Sequence, residues 1–145
     1  MASRTFTPLP DHVRRFLSAR RYAAVATVDE DGAPRQAVIW YLLDGDELVI
    51  NSLEGRRWPT NLRRDPRVSL AVTAPDEESW VGITGRVTVV DDQAQAQADI
   101  AAMARFYNAD DPDGAEELIR NRFETQQRVS FRIAVTGIHD HIEGD

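Results

Sequence analysis

The chain has 145 residues, a formal net charge of −7 and no cysteine. This length suits a single domain over residues 1–145 that buries a core without disulfides. The lack of cysteine excludes zinc fingers, iron–sulfur clusters and thiol catalysis, and the lack of lysine excludes a Schiff-base lysine and a lysine general base. The longest apolar runs are seven or eight residues, too short for a bilayer span or a signal peptide. We therefore expect a soluble cytoplasmic protein that contacts no membrane.

The pattern of apolar residues predicts helices and strands in a clear order. A short helix over residues 10–20 precedes strands over 22–28, 35–43 and 47–52, which form a meander. The Asp44-Gly45 step between the last two strands is typical of a hairpin. Pro59 and Pro66 bound about one and a half turns of helix. The remaining predicted elements are strands over 67–74 and 80–90, helices over 92–107 and 114–124, and a strand over 128–135.

This order of elements favours the α+β class. It lacks the strand-helix alternation of a Rossmann sheet. Five or six short antiparallel strands suggest a small barrel, because closure removes exposed edges. Gly82 and Gly85, inside one predicted strand, indicate a bulge or a close backbone approach.

Five arginines and a single carboxylate lie between Arg56 and Arg67. Three interpretations stay open: a salt-bridged helix on the surface, a nucleic-acid contact, and a compact anion site. The charge of −11 on the rest of the chain opposes nucleic-acid binding. An anion site is favoured where the loop meets a helix N-terminus, because free N–H groups there attract phosphate.

Under the anion-site interpretation, the arginines divide at Pro59. Arg56 and Arg57 donate bidentate hydrogen bonds to the ligand, and Asn61 reaches it from the first helical turn. Cations at a helix C-terminus suit its dipole, so the remaining three are assigned a mainly structural role: Arg63, Arg64 and Arg67.

Two histidines near the end of the sequence, His139 and His141, share one face of a strand and are continued by Glu143. Such a pattern fits a metal edge or a polar strand end; the second is more common, and we expect no metal. Tryptophan is frequent for this length, with Trp40, Trp58 and Trp80. Each suits a core or dimer contact, or the wall of a planar-ligand site.

Three segments carry a family resemblance: YAAVATVDEDGAPRQAVIWYLLDGDELVINS, GRRWPTNLRRDPRVSLAV and WVGITGRVTVV. Over residues 10–136 the chain resembles the pyridoxamine 5′-phosphate oxidase-like, FMN-binding split-barrel superfamily. The tract NLRRDPRVSL is similar to its branch of F420-dependent oxidoreductases. The resemblance implies a six-stranded antiparallel split β-barrel, Greek-key-like with flanking helices, that forms a homodimer with two cofactor sites along the interface.

The resemblance also implies the residues of the cofactor site. Arg56 and Arg57 are expected to bind the cofactor phosphate, and Asn61 fits the family pattern. The ring lies against the second and third strands and near Trp80, which gives the positions Ala37, Val38, Ile39, Trp40, Asn51 and Ser52. Relatives commonly have a lysine where this chain has Trp58. The resemblance therefore implies that the phosphate is bound by Arg57, or by Arg56 together with backbone N–H groups.

The implied function is hydride transfer between the deazaflavin coenzyme F420 and a small organic substrate. The chemistry belongs to the cofactor, so no side chain is assigned as catalytic. Three alternatives stay open: an FMN-dependent enzyme of the same fold, a non-catalytic binder of a cofactor or haem, and a structural dimer without a ligand.

Overall fold

The structure is a computed structural model of the chain, and it describes residues 6–75 and 78–142. Four helices and seven strands follow each other in these ranges. In chain order they are α1 (Asp11–Ser18), β1 (Ala23–Val28), β2 (Pro34–Ile39), β3 (Leu42–Asp44), β4 (Glu47–Leu53), α2 (Arg57–Arg64), β5 (Arg67–Thr73), β6 (Trp80–Val90), α3 (Gln93–Tyr107), α4 (Pro112–Asn121) and β7 (Arg128–His141). A short 3-10 turn, Phe123–Thr125, joins α4 to β7.

The seven strands form one antiparallel, curled sheet in the order β2-β1-β5-β6-β7-β4-β3. The α+β split-barrel class is therefore confirmed. The strand count exceeds the expected six by one, because the predicted run 35–43 divides at Trp40 and Tyr41. No pairing in the described ranges joins β2 to β3, so these two strands form the edges of the split.

The predicted meander of the first three strands is correct in its pairings, but its middle strand is divided. β1 pairs with β2, and β3 pairs with β4 across the turn at Gly45. The sheet continues from β1 through β5 and from β4 through β7. The two halves of the predicted strand 35–43 therefore lie at opposite edges of the sheet, a separation that the sequence pattern did not predict.

Two local predictions about glycine are confirmed. Gly45 has a φ of 64° in the tight turn between β3 and β4, a conformation that favours glycine. Gly85 lies at a register shift between β6 and β7. A Cβ at Gly85 would come within 2.5 Å of the carbonyl oxygen of Ala134, so the backbones approach too closely for a larger residue.

Helices α3 and α4 begin at residues suited to capping. Asp92 accepts hydrogen bonds from the backbone N–H groups of Ala94 and Gln95, at 2.9 and 3.4 Å, and starts α3. Helix α4 begins at Pro112, two residues before the predicted start, because proline suits the first helical position. None of the helices in the described ranges has the length and hydropathy needed to cross a bilayer.

Two apolar clusters stabilise the fold. The main core fills the inner face of the curled sheet, where alternate residues of β5 (Val68, Leu70 and Val72) point inward and α1 adds Val13 and Leu17. The second cluster joins α3, α4 and the 3-10 turn to the other face of β4 through Val49, Ile100, Met103, Ile119 and Phe123. This second packing places polar residues of β4 and β7 beneath helix α3.

Candidate functional site

A pocket of about 280 Å³ opens between β2, β4, α3 and the segment that leads into β7. We call it the aromatic pocket. It brings together seven of the eleven residues assigned from the sequence: Val38, Ile39, Trp40, Asn51, Ser52, Arg56 and Trp58. Its lining also includes two aromatic residues, Tyr22 and Phe123, and two further arginines, Arg122 and Arg128.

Trp40 forms a flat wall of this pocket. Its ring stacks on Tyr107 at 5.0 Å between centroids, with 11° between the planes, and is nearly perpendicular to the Phe123 ring at 6.4 Å between centroids. The Tyr107 hydroxyl accepts a hydrogen bond from the backbone N–H of Tyr41 at 3.2 Å. This bond fixes the Tyr107 ring, on which Trp40 stacks, next to the backbone of Tyr41. Val38, with 75% of its surface exposed, lies at the mouth of the pocket.

Asn51 lies in the polar floor of the pocket with its amide already engaged. The Nδ2 group donates to the carbonyl oxygen of Ala96 and to Oγ of Ser130, both at 2.9 Å. The Oδ1 atom accepts a hydrogen bond from Nε of Arg128 at 3.0 Å. Since Asn51 is buried, its amide orients Arg128. The neighbouring Ser52 hydroxyl donates to the carbonyl oxygen of Leu53 at 3.1 Å.

Sequence reasoning missed Arg128, which is 6% exposed at the start of β7. Its Nη1 donates to Oε1 of Gln126 at 2.6 Å, and its guanidinium lies 4.8 Å from the centre of the Phe123 ring. Burial, followed by the nearby charges of Arg56 and Arg122, lowers the pKa of Arg128 to about 10. Nothing in the local pattern marks this arginine, since the pairing of β7 with β4 is what brings it under Asn51.

Arg57 and Asn61 line a second, separate depression of about 700 Å³, which we call the loop pocket. Asp29 lies at its centre. The Asp29 carboxylate accepts hydrogen bonds from Nε of Arg35 at 2.5 Å and Nδ2 of Asn61 at 2.9 Å, and Arg57 Nη1 lies 3.7 Å away. The hydrogen bond from Arg35, then the one from Asn61, lowers the pKa of Asp29.

The Asn61 side chain is fully engaged by its own chain. Its Nδ2 also donates to Oγ1 of Thr27 at 3.0 Å, and its Oδ1 accepts from Nη2 of Arg64 at 3.0 Å. Only 4% of Asn61 is exposed. The amide therefore orders the loop before β2 and the end of α2, and reaches a ligand in this pocket only by exchanging one of these bonds.

The structural role expected for the later arginines is confirmed for two of them. Arg63 donates two hydrogen bonds to Glu54, at 3.1 and 2.6 Å, and one to Asp91 at 2.5 Å. Arg67 pairs with Asp65 at 2.7 Å. Arg64 differs, because it lines the loop pocket together with Arg57.

Trp80 and Ala37 lie outside the aromatic pocket within one chain. Trp80 stacks on His139 at 4.7 Å between centroids, in a largely apolar groove on another part of the sheet. Ala37 packs against the main core. Trp58 is 8% exposed and packs against Phe131 of the core with one side, while lining the pocket with the other.

The histidine pair does not form a metal centre with its described surroundings. Among residues 6–75 and 78–142, no group of three or more histidine, aspartate or glutamate side chains is arranged to hold a metal ion. His139 and His141 instead contact the Trp80 ring, at 4.7 and 5.7 Å. Glu143, the third member of that sequence pattern, lies outside the described residues.

The family model of pyridoxamine 5′-phosphate oxidase matches residues 9–141. The chain belongs to this family. Its fold recurs in solved structures with low sequence identity. An F420 reductase is 22% identical, with a TM-score of 0.72 over 90% of this chain and 98% of that one.

Two further members of this fold group show how varied it is. A conserved hypothetical protein from Mycobacterium tuberculosis is 21% identical, with a TM-score of 0.75 over 97% of this chain and 91% of that one. The haem storage protein HutZ from Vibrio cholerae is 18% identical, with a TM-score of 0.68 over 92% and 95%. At these identities the likeness shows the pyridoxamine 5′-phosphate oxidase fold, and the function has to be argued from the site.

Proposed function

We propose that this protein is an oxidoreductase that binds the deazaflavin coenzyme F420 and transfers a hydride to or from a small organic substrate. One observation carries the proposal: the aromatic pocket joins the flat wall of Trp40 to an arginine, Arg56, that pairs with no carboxylate in the described chain. A planar ring and an oxyanion are the two parts that such a pocket accommodates. The family and the F420 reductase of the same fold support this choice.

The residues of the pocket fit such a cofactor in their chemistry. Arg56 precedes the first turn of α2 and is exposed, so it is available to a phosphate. Val38, Ile39 and Trp40 offer apolar contact to a ring, and Arg57 and Asn61 lie beside the same helix N-terminus, in the loop pocket. When bound, the cofactor supplies the hydride chemistry; the protein binds it, orients it and excludes water.

Among residues 6–75 and 78–142, those that line the aromatic pocket include no carboxylate and no histidine. The chain therefore contributes binding and electrostatics at this place, and we assign no side chain as a general acid or base. Exposed guanidinium groups at its mouth suit the phosphate and the carboxylates of an F420 tail together. FMN would satisfy the same arginines with its single phosphate, which makes it the second candidate.

A homodimer would complete the proposed site. Trp80, assigned to the cofactor ring by family resemblance, lies in a different groove of the same chain. That groove is concave and mainly apolar, with Ala24, Leu70, Gly82 and Ile138 among its lining residues. We propose that a second copy covers this face and that Trp80 of one subunit reaches the cofactor of the other.

The test is a pair of titrations of the purified protein, with F420 and with FMN, followed by fluorescence and thermal shift. Micromolar binding of F420 and much weaker binding of FMN supports the proposal, and the reverse order excludes F420. Binding without turnover of any quinone or unsaturated lactone acceptor would favour a non-catalytic binder. Sedimentation of the same samples tests the dimer, which a monomer at micromolar concentration would contradict.

A further inference from the structure

Three arginines meet at one end of the aromatic pocket. Arg56 comes from the loop before α2, Arg122 follows α4, and Arg128 begins β7. Within the described residues, none of the three forms an ion pair with a carboxylate, although the chain carries 24 acidic residues. We call them the arginine triad.

We propose that the arginine triad binds an oxyanion, a carboxylate or a phosphate, on a ligand whose planar part contacts Trp40 and Phe123. This inference rests on the pocket of the proposed function and deepens it, because it shares Arg56 and adds Arg122 and Arg128 from the segment after α4. It requires no particular cofactor. The oxyanion has two possible sources, the acidic groups of F420 and a separate acceptor substrate, which the experiment below distinguishes.

The buried member of the triad carries the argument. Arg128 is 6% exposed, and its described hydrogen-bond acceptors are the neutral amide oxygens of Asn51 and Gln126. A buried charge without an opposite charge is costly to desolvate. The lowered pKa of Arg128 reflects this cost, since burial and the two neighbouring cations all disfavour its charged form. An anion bound at the triad would offset both effects.

Arg56 and Arg122 are exposed beside this buried guanidinium. Their position gives the site an open side, through which an anion reaches Arg128 from solvent. Several other arginines of this chain pair with carboxylates: Arg63 with Glu54 and Asp91, Arg105 with Glu116, and Arg132 with Asp44 and Glu47. Arginines that lack such a partner elsewhere, such as Arg120, do not line this pocket.

The aromatic residues next to the triad define the rest of the ligand. The guanidinium carbons of Arg128 and Arg122 lie 4.8 and 5.9 Å from the centre of the Phe123 ring. The Phe123 ring in turn lies nearly perpendicular to Trp40. A conjugated ring that bears a carboxylate or phosphate would contact these aromatic side chains with its flat part and the guanidinium groups with its oxyanion.

The test uses 2-naphthoate as the probe and the uncharged 2-naphthamide as its matched control, each titrated calorimetrically into the full chain. We expect naphthoate to bind about tenfold or more tightly than the amide, the effect of one charge-assisted hydrogen bond. Arg122→Gln should remove about tenfold of the naphthoate affinity and leave the amide unchanged. Arg120→Gln, which replaces an exposed arginine in the last turn of α4 outside the aromatic pocket, should change neither.

The proposal fails if the two probes bind equally, or if Arg122→Gln and Arg120→Gln have the same effect. Arg128→Gln is a second variant, used only if circular dichroism shows that this variant folds. If Arg128→Gln does not fold, the Arg122→Gln result tests the proposal.

Repeating the naphthoate titration with saturating F420 distinguishes the two sources of the oxyanion. Displacement by F420 assigns the oxyanion to the cofactor, and simultaneous binding assigns it to a substrate. Should F420 not bind at all, the proposed function fails while the naphthoate result stands.

Discussion

Arg56 and Arg57 are neighbours in the sequence, and they line two different pockets. Arg56 belongs to the aromatic pocket with Arg122 and Arg128, and Arg57 belongs to the loop pocket, 3.7 Å from Asp29. The two residues stand on either side of the start of α2, where the chain changes from an extended to a helical backbone. The positive charge of this loop is therefore divided: one arginine is available to an external anion, and the other is partly neutralised by its own chain.

The two arginines should contribute unequally to cofactor binding. We expect Arg56→Ala to weaken F420 binding by about 1.5–3 kcal/mol, the scale of a charge-assisted hydrogen bond. Arg57→Ala should cost less, because Asp29 already competes for that guanidinium. Arg67→Ala is the matched control, since Arg67 pairs with Asp65. Fluorescence titration measures all three, and equal affinities for the Arg56 and Arg67 variants would show that Arg56 holds no phosphate.

Asn51 should matter for stability more than its neighbour Ser52. Removing the Asn51 amide leaves Nε of the buried Arg128 without its acceptor, so Asn51→Ala should lower the free energy of unfolding by about 1–3 kcal/mol. Ser52→Ala removes one hydrogen bond to an adjacent carbonyl and should cost about 1 kcal/mol or less. Urea denaturation compares the two variants, and a larger loss for Ser52→Ala would contradict the role given to Asn51.

Trp58 is a core residue, and a lysine at this place should not restore a phosphate contact. The ring is 8% exposed and packs against Phe131 at 5.9 Å between centroids. Trp58→Lys should therefore lower the free energy of unfolding by about 3–5 kcal/mol or more, through lost packing and a buried charge. Trp58→Phe keeps an apolar ring and should lose less. A Trp58→Lys protein with unchanged stability and tighter F420 binding would show that this position faces the phosphate after all.

The pairing of Asp65 with Arg67 predicts a specific dependence of stability on pH. Hydrogen bonds from the Arg67 side chain, then from its backbone, lower the pKa of Asp65 from 3.8 to about 2. A depressed folded-state pKa gives stability that is present above the unfolded pKa and is lost as pH falls through the folded one. The melting temperature of Asp65→Asn should therefore approach that of the wild type between about pH 4 and about pH 2.

Arg67→Gln provides the check on this assignment. Without the Arg67 guanidinium, the pKa of Asp65 should move toward its ordinary value, while the backbone N–H of residue 67 still donates to the carboxylate. This variant should therefore show a pH dependence between those of the wild type and Asp65→Asn. Neither change should alter the binding of 2-naphthoate at neutral pH, because both residues lie outside the aromatic pocket. Melting curves that stay parallel to the wild type over this range would mean that the pair does not persist in solution.

Local structure was predictable from the amino-acid sequence. Strand and helix types, the turn at Gly45, the bulge at Gly85 and the helix that begins after Arg56 all follow from signals within a few residues. Side-chain periodicity and backbone preference act over such short distances, so they are readable without the fold. The family resemblance added the split barrel and placed seven residues in one pocket.

The long-range strand pairings and the charges that meet depend on the folded chain. Periodicity shows which face of a strand is buried but not which strand covers it, so the placement of β2 and β3 at opposite edges of the sheet was not predicted. The pairing of β4 with β7 sets Asn51 opposite Ser130. The same register brings the Arg128 guanidinium within hydrogen-bond distance of Asn51. The two residues are too far apart in the sequence for a local pattern to predict this contact. The arginines that seemed to form one group in the sequence are separated by the start of α2, and the group that the structure assembles, Arg56 with Arg122 and Arg128, exists only in the folded chain.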